Sequence, residues 1–222
     1  MTSVAFVGTQ SFWDNTNLLS GNPAHDAINY TEAAWNDYID NGSYDLRADI
    51  FTEGTVSIPY SALPTSGVLK DHLREAENWL NNNWYGTYTQ YDTVHILDWW
   101  GGDQGMYGWA WIGAAGEFRK ASLSDFYWEW AGMGNLFRNV KMDGVVLHEV
   151  LHTYCARHVD AAVGNGCSAS IMHSPGANEG PECFQDCSPI DIIGTWTSPC
   201  TEDVVRCFID GGLDPGNCNP CY

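Results

Sequence analysis

The sequence predicts an α/β (α+β) fold, with strands and helices alternating through the first two thirds and a cross-linked final third. Two observations predict it. Apolar residues switch between strand-like runs and helical spacing, giving strand, helix, strand, helix over residues 3–84. All eight cysteines fall late, at positions 155, 167, 183, 187, 200, 207, 218 and 221. A length of 222 residues allows one domain with a substantial core, so residues 1–222 are read as a single unit, with residues 159–222 as its disulfide-rich C-terminal part.

The elements follow in order. Residues 3–12 read as a first strand on Val4 and Phe6, continued by Phe12 and Trp13. Residues 24–39 carry helical spacing at Ala27, Ile28, Ala34, Trp35 and Tyr38, and Asn41-Gly42 is the stop signal. Residues 44–59 alternate through Leu46, Ala48, Ile50, Val56 and Ile58, which suggests a strand or a hairpin. Helical spacing returns over residues 69–84 through Leu73, Ala76, Trp79 and Leu80. Val94, Ile96 and Leu97 mark a buried strand over 91–99, and after the Gly101-Gly102 turn comes a short strand at 107–113, bounded by glycines. Residues 117–141 read as an aromatic-rich connection, helical from Ser122 onward. Residues 189–196 and 201–209 read as short helices, the second with Glu202 and Asp203 at its start.

Composition excludes several partners. A net charge of -19, from 28 acidic and nine basic residues, argues against nucleic acid and against an anionic membrane surface, which both need a cationic footprint. No stretch approaches the roughly 18 apolar residues that cross a bilayer, and residues 1–6 lack the charged start and apolar run of a secretory leader. The chain is therefore read as a mature or trimmed domain whose export signal and any inhibitory pro-segment lie outside it. An even number of cysteines at this density suggests disulfides in an oxidising compartment, hence secretion. A second zinc site on Cys183-x3-Cys187 and Cys218-x2-Cys221 is the rival reading, disfavoured by the Pro-, Gly- and Asp-rich residues between them. Strong acidity also suits a protein kept soluble in high salt. Eleven Trp residues raise a carbohydrate-binding surface as an alternative, but their scatter through the expected elements is what core residues show.

The chemistry concentrates at residues 148–158. Val145, Val146, Leu147, Val150 and Leu151 give helical spacing, which places His148 and His152, four residues apart, on one face roughly 6 Å from each other. Both imidazoles can then point at one metal ion. Glu149 follows the first His, where a carboxylate reaches a water held on the metal without being a ligand, as a general base must. His158 completes the set if the chain turns sharply after Tyr154. Three protein ligands, with a fourth position left to water, are the pattern of a catalytic rather than a structural zinc.

These residues resemble the metzincin clan of zinc endopeptidases, whose motif is H-E-x-x-H-x-x-G-x-x-H followed by a Met-turn. The three His and Glu149 fall in register, and Ser170-Ile171-Met172-His173 is similar to the Met-turn, which implies that Met172 packs beneath the imidazoles and is not a ligand. Cys155 stands at the clan's Gly position, where the chain leaves the helix in a conformation a Cβ disfavours by roughly 1 to 2 kcal/mol. A disulfide to a nearby partner such as Cys167 would brace that turn. Ser174 replaces the Tyr that astacin-like members carry two residues after the Met.

The layout resembles adamalysin-like members, which implies a twisted mixed sheet, long helices and an edge strand along the cleft. By that resemblance the backbone of Gly108, Trp109, Ala110 and Trp111 would pair with an extended substrate. The side chains of Trp109 and Trp111 read equally well as core. The resemblance implies a secreted zinc-dependent endopeptidase acting on protein or peptide substrates, with one Zn2+ on His148, His152 and His158 and Glu149 as general base. It also allows Ca2+, for which no loop carries a recognisable ligand series. The alternative is a catalytically silent zinc-containing binding module on a protease scaffold.

Overall fold

The structure is a computed structural model that describes residues 1–19, 21–40, 42–103, 106–131, 142–158, 168–169, 172, 192–193, 197 and 199–214. Its elements are β1 (Thr2–Thr9), α1 (Gln10–Asn15), α2 (Pro23–Ala34), β2 (Leu46–Phe51), β3 (Ser57–Ile58), α3 (Leu69–Asn83), α4 (Tyr85–Tyr88), β4 (Thr93–Asp98), β5 (Gly108–Ala110), β6 (Ala121–Asp125), α5 (Tyr127–Trp130), α6 (Met142–Thr153), β7 (Ser168–Ala169), β8 (Ile192–Ile193) and α7 (Pro199–Asp210). The order β2-β1-β4-β6-β5 forms one sheet, with β3 also paired to β1. Its pairings are parallel except at β5, which runs antiparallel to β6 at the edge.

Strand β1 shows why the molecule is layered. Successive side chains of a strand point to opposite faces, and here both faces are apolar. Val4 and Phe6 meet Ala27, Ile28 and Trp35 of the α2 region and Val146, Leu147, Val150 and Leu151 of α6. Ala5 and Val7 meet Leu69, Leu73, Ala76 and Leu80 of α3 on the other side. Each large aliphatic or aromatic side chain buried this way contributes about 2 kcal/mol of transfer free energy. Helix α6 is thus held against the sheet by the very residues that alternate with its histidines.

Several expectations hold and several are corrected. Residues 24–39 are helical, α2 continuing as a π-helical turn over Trp35–Ile39, and α3 and β4 lie where the spacing places them. Residues 44–59 form no hairpin, because β2 and β3 both run parallel to β1, with Val4 opposite Ala48 and Gly8 opposite Ser57. The return through α2 brings the chain back to start again in the same direction. Phe12 and Trp13 belong to α1, begun by Thr9, whose hydroxyl accepts the Phe12 N–H at 3.1 Å. Ser122 lies on the fully buried strand β6, not on a helix. Ile192 and Ile193 pair as β8 with β7, whereas the rest of the helix expected over 189–196 lies outside the described residues. Among the described residues no helix is long and apolar enough to cross a membrane.

Candidate metal centre

Helix α6 buries Val146, Leu147, Val150 and Leu151 in the core, which leaves His148, Glu149 and His152 on the side that faces β5. The helix then ends abruptly. Ala156 N–H donates to the Leu151 carbonyl at 3.1 Å and Cys155 N–H to the His152 carbonyl at 3.0 Å. This pair of bonds is a Schellman motif, and it requires a left-handed residue at Cys155, whose φ is 79°. Ala156 and Leu151 pack in the same apolar cluster, the contact that accompanies such a cap. Cys155, Cys200 and Cys207 are disulfide-bonded, and no free cysteine occurs among the described residues. The other five cysteines, and with them the pairing of Cys155 to Cys167, lie outside the described residues.

The reversal does two things for the site. It brings His158 back toward the helix, so that its Nε2 stands 3.1 Å from that of His148 and 3.2 Å from that of His152. The remaining side of the triangle, His148 Nε2 to His152 Nε2, is 3.0 Å. It also places the Ala156 carbonyl 2.7 Å from His152 Nδ1. That contact needs Nδ1 to carry the proton, which leaves a lone pair on Nε2 at the centre of the triangle. Burial first, then the neighbouring His148 and His158, hold the His152 pKa well below its usual value, so the ring is neutral at pH 7.

The donor set fits zinc. Nitrogens bound at zinc–nitrogen distances around a tetrahedral ion stand about 3.3 Å apart, close to the spacing of these three. Among the described residues, His148, His152 and His158 are the group whose ligand atoms converge in this way.

Glu149 is 6% exposed, and burial pushes its carboxyl up to about 8. Its neighbour is the edge strand: a Cβ built on Gly108 would lie 2.5 Å from Glu149 Cγ and Oε1. The loop that follows β5 is tied to the end of α6, with Gly113 N–H donating to the His152 carbonyl at 2.9 Å and Ala115 N–H to the Thr153 carbonyl at 3.0 Å.

Of the residues singled out in the sequence, the structure brings together His148, His152, His158, Glu149 and Gly108. Trp109 and Trp111 turn to the opposite side of the sheet and pack in the α3 cluster, where Trp111 Nε1 donates to Glu77 Oε2 at 3.1 Å. Met172 is fully buried in the same apolar cluster as the helix residues between the histidines. Its neighbours Ser170, Ile171 and His173 lie outside the described residues. Sequence reasoning missed the Ala156 carbonyl, which no side-chain pattern announces. It also missed the fit of Gly108 to Glu149, for which a glycine inside an aromatic strand was the available signal.

No family model matches the chain, and no curated protein matches it. Among solved structures it is similar to one described as "Structure of a chaperone-substrate complex", with a TM-score of 0.55 at 14% sequence identity. The match covers 96% of this chain and 35% of that one, so this chain spans about a third of that chain's length. At this identity the likeness concerns the fold.

Proposed function

We propose that the chain is a secreted, zinc-dependent endopeptidase of metzincin type. The observation that carries the reading is the convergence of the His148, His152 and His158 Nε2 atoms to 3.0–3.2 Å beside the buried Glu149 carboxylate. The antiparallel edge strand next to that carboxylate, the left-handed exit at Cys155 and the buried Met172 support the same reading. Disulfide-bonded Cys155, Cys200 and Cys207 support an oxidising, extracellular setting.

In this reading His148, His152 and His158 hold the ion, and the Ala156 carbonyl keeps His152 in the tautomer that binds it. Zinc held by these three nitrogens would supply a Lewis acid for the scissile carbonyl and would make a nearby water acidic enough to attack near pH 7. Burial by itself holds the Glu149 carboxyl at about 8, and a zinc cation beside it would favour the ionised form, in which Glu149 takes a proton from the attacking water and delivers it to the leaving amine. The backbone of β5 holds the peptide extended. Tyr107 O accepts from Asp125 N and Trp111 N donates to Ala121 O, so the odd-numbered residues turn their backbone groups to β6. Gly108, Ala110 and Ile112 turn theirs to the open edge, where a peptide strand adds.

Casein cleavage with zinc, and again after chelation, tests the proposal. Chelation is expected to abolish cleavage and zinc to restore it. A zinc-loaded protein that cleaves neither casein nor gelatin would favour the binding-module alternative.

A further inference from the structure

We infer that the face of β5 turned toward α3 selects acidic side chains in the bound peptide, with Lys70 and Arg119 as the charged groups and the indoles of Trp109 and Trp111 beneath them. The inference rests on the peptidase reading for the course of the peptide along β5, and adds a substrate class to it.

Lys70, in the first turn of α3, places its ammonium 5.8 Å from the Trp109 ring centroid and 5.4 Å from that of Trp111. Arg119 places its guanidinium carbon 5.8 Å from the Trp111 centroid on approach to β6. Both cations are exposed. Two of only nine basic residues, against 28 acidic ones, thus meet on one short edge strand. Their situation differs from that of three other arginines: Arg47 lies against Asp49, Arg74 against Asp71 and Glu75, and Arg206 against Glu202 and Asp203. Neither Lys70 nor Arg119 has an ion-pair partner among the described residues. Among the described residues, rich as they are in carboxylates, these two cations stand without one and lie over indoles that fix their position.

The strand geometry says what would meet them. Side chains of β5 alternate, Gly108 facing Glu149 and Trp109 and Trp111 facing α3. A peptide added to the open edge sends every second side chain to the α3 face, roughly 5 Å from the neighbouring strand's side chains. Asp or Glu at those positions lies within reach of Lys70 and Arg119, whereas Lys or Arg there meets like charge. The overall charge of -19 repels an acidic polypeptide at long range. The preference therefore has to be made by these near contacts, which salt screens less than the distant field.

The test compares peptides identical except for Glu, Gln or Lys at two alternate positions, measured as KM for cleavage and as anisotropy of labelled peptide on the zinc-loaded Glu149→Gln protein. The native chain is expected to favour the Glu peptide over the Gln peptide by about fivefold, the scale of exposed ion pairs. In the Lys70→Gln/Arg119→Gln variant the ratio falls to parity, and in Lys70→Glu/Arg119→Glu it inverts toward the Lys peptide. An unchanged ratio in either variant, or equal KM and equal binding of all three peptides to the native face, overturns the selector. Glu-selective binding without cleavage of any peptide would leave the selector standing and remove the peptidase reading instead.

Discussion

The Glu149 carboxylate rests against the backbone of Gly108, so closely that a Cβ on the glycine would stand 2.5 Å from Glu149 Oε1. The edge strand and the motif helix therefore share one boundary, and the residue at position 108 sets where the carboxylate sits. Gly108→Ala is expected to keep all three histidines and their zinc but to push Glu149 aside. A displacement of about 1 Å at a reacting group costs on the order of a hundredfold in rate. The measurement is zinc content beside kcat for casein: retained zinc with a hundredfold fall is expected, whereas native kcat would mean that Glu149 is not held by this contact.

Replacing the carboxylate separates its role from that of the ligands. Glu149→Gln is expected to bind zinc normally and to lose activity by about 10²- to 10⁴-fold, the range of a lost general base. His152→Ala is expected to lose metal and activity together, since His152 closes two sides of the nitrogen triangle, at 3.0 and 3.2 Å. Zinc analysis of the purified variants and a cleavage assay distinguish the two patterns. A Gln variant cleaving at the native rate would remove Glu149 as the base.

Much of this centre was legible because its information is local. The spacing of His148 and His152 follows from one helix, and the need to turn before His158 follows from the length of a helical turn. Strand β6 was not legible. Ala121, Ser122, Leu123, Ser124 and Asp125 have the composition of a solvated segment, yet every one is buried. Ser122 Oγ meets His95 Nδ1 at 2.8 Å, and the Asp125 carboxylate accepts the N–H groups of Trp100, Gly101 and Tyr127. Partners distant in sequence make polar residues tolerable in a central strand, and no window on the strand itself contains them. The direction of β2 was hidden for a similar reason: alternation fixes which face is apolar but not which way the strand runs.

Cys155 offers a test of the turn. Its φ of 79° is one that a Cβ disfavours, and its sulfur is bonded to another cysteine. Cys155→Gly and Cys155→Ala both lose the bridge, so their difference reports the backbone conformation alone. The Gly variant is expected to be more stable than the Ala variant by about 1 kcal/mol in denaturant unfolding, and to hold zinc more tightly. Equal stabilities would mean that the chain leaves α6 by another route, with His158 placed differently.

Asp125 gives stability a dependence on pH at a distance from the histidine cluster. Burial first, and then the charge of Asp98, push its carboxyl from 3.8 up to about 6. Asp98 itself accepts from the Thr9 hydroxyl at 2.8 Å and lies 2.9 Å from His72 Nδ1. Between these two pH values the folded chain holds the Asp125 proton more tightly than the unfolded chain does, so this group's contribution to stability falls as pH rises. It is complete below about pH 4 and lost by about pH 6, on the order of 3 kcal/mol over the window. Asp125→Asn removes the titration while keeping an acceptor oxygen for the backbone N–H groups. Urea unfolding in the presence of a chelator, with the variant subtracted from the native chain at each pH, is expected to give a difference that changes in the variant's favour from pH 4 to pH 6. A difference flat across that interval would show that the Asp125 charge is as well solvated in the sheet as in water.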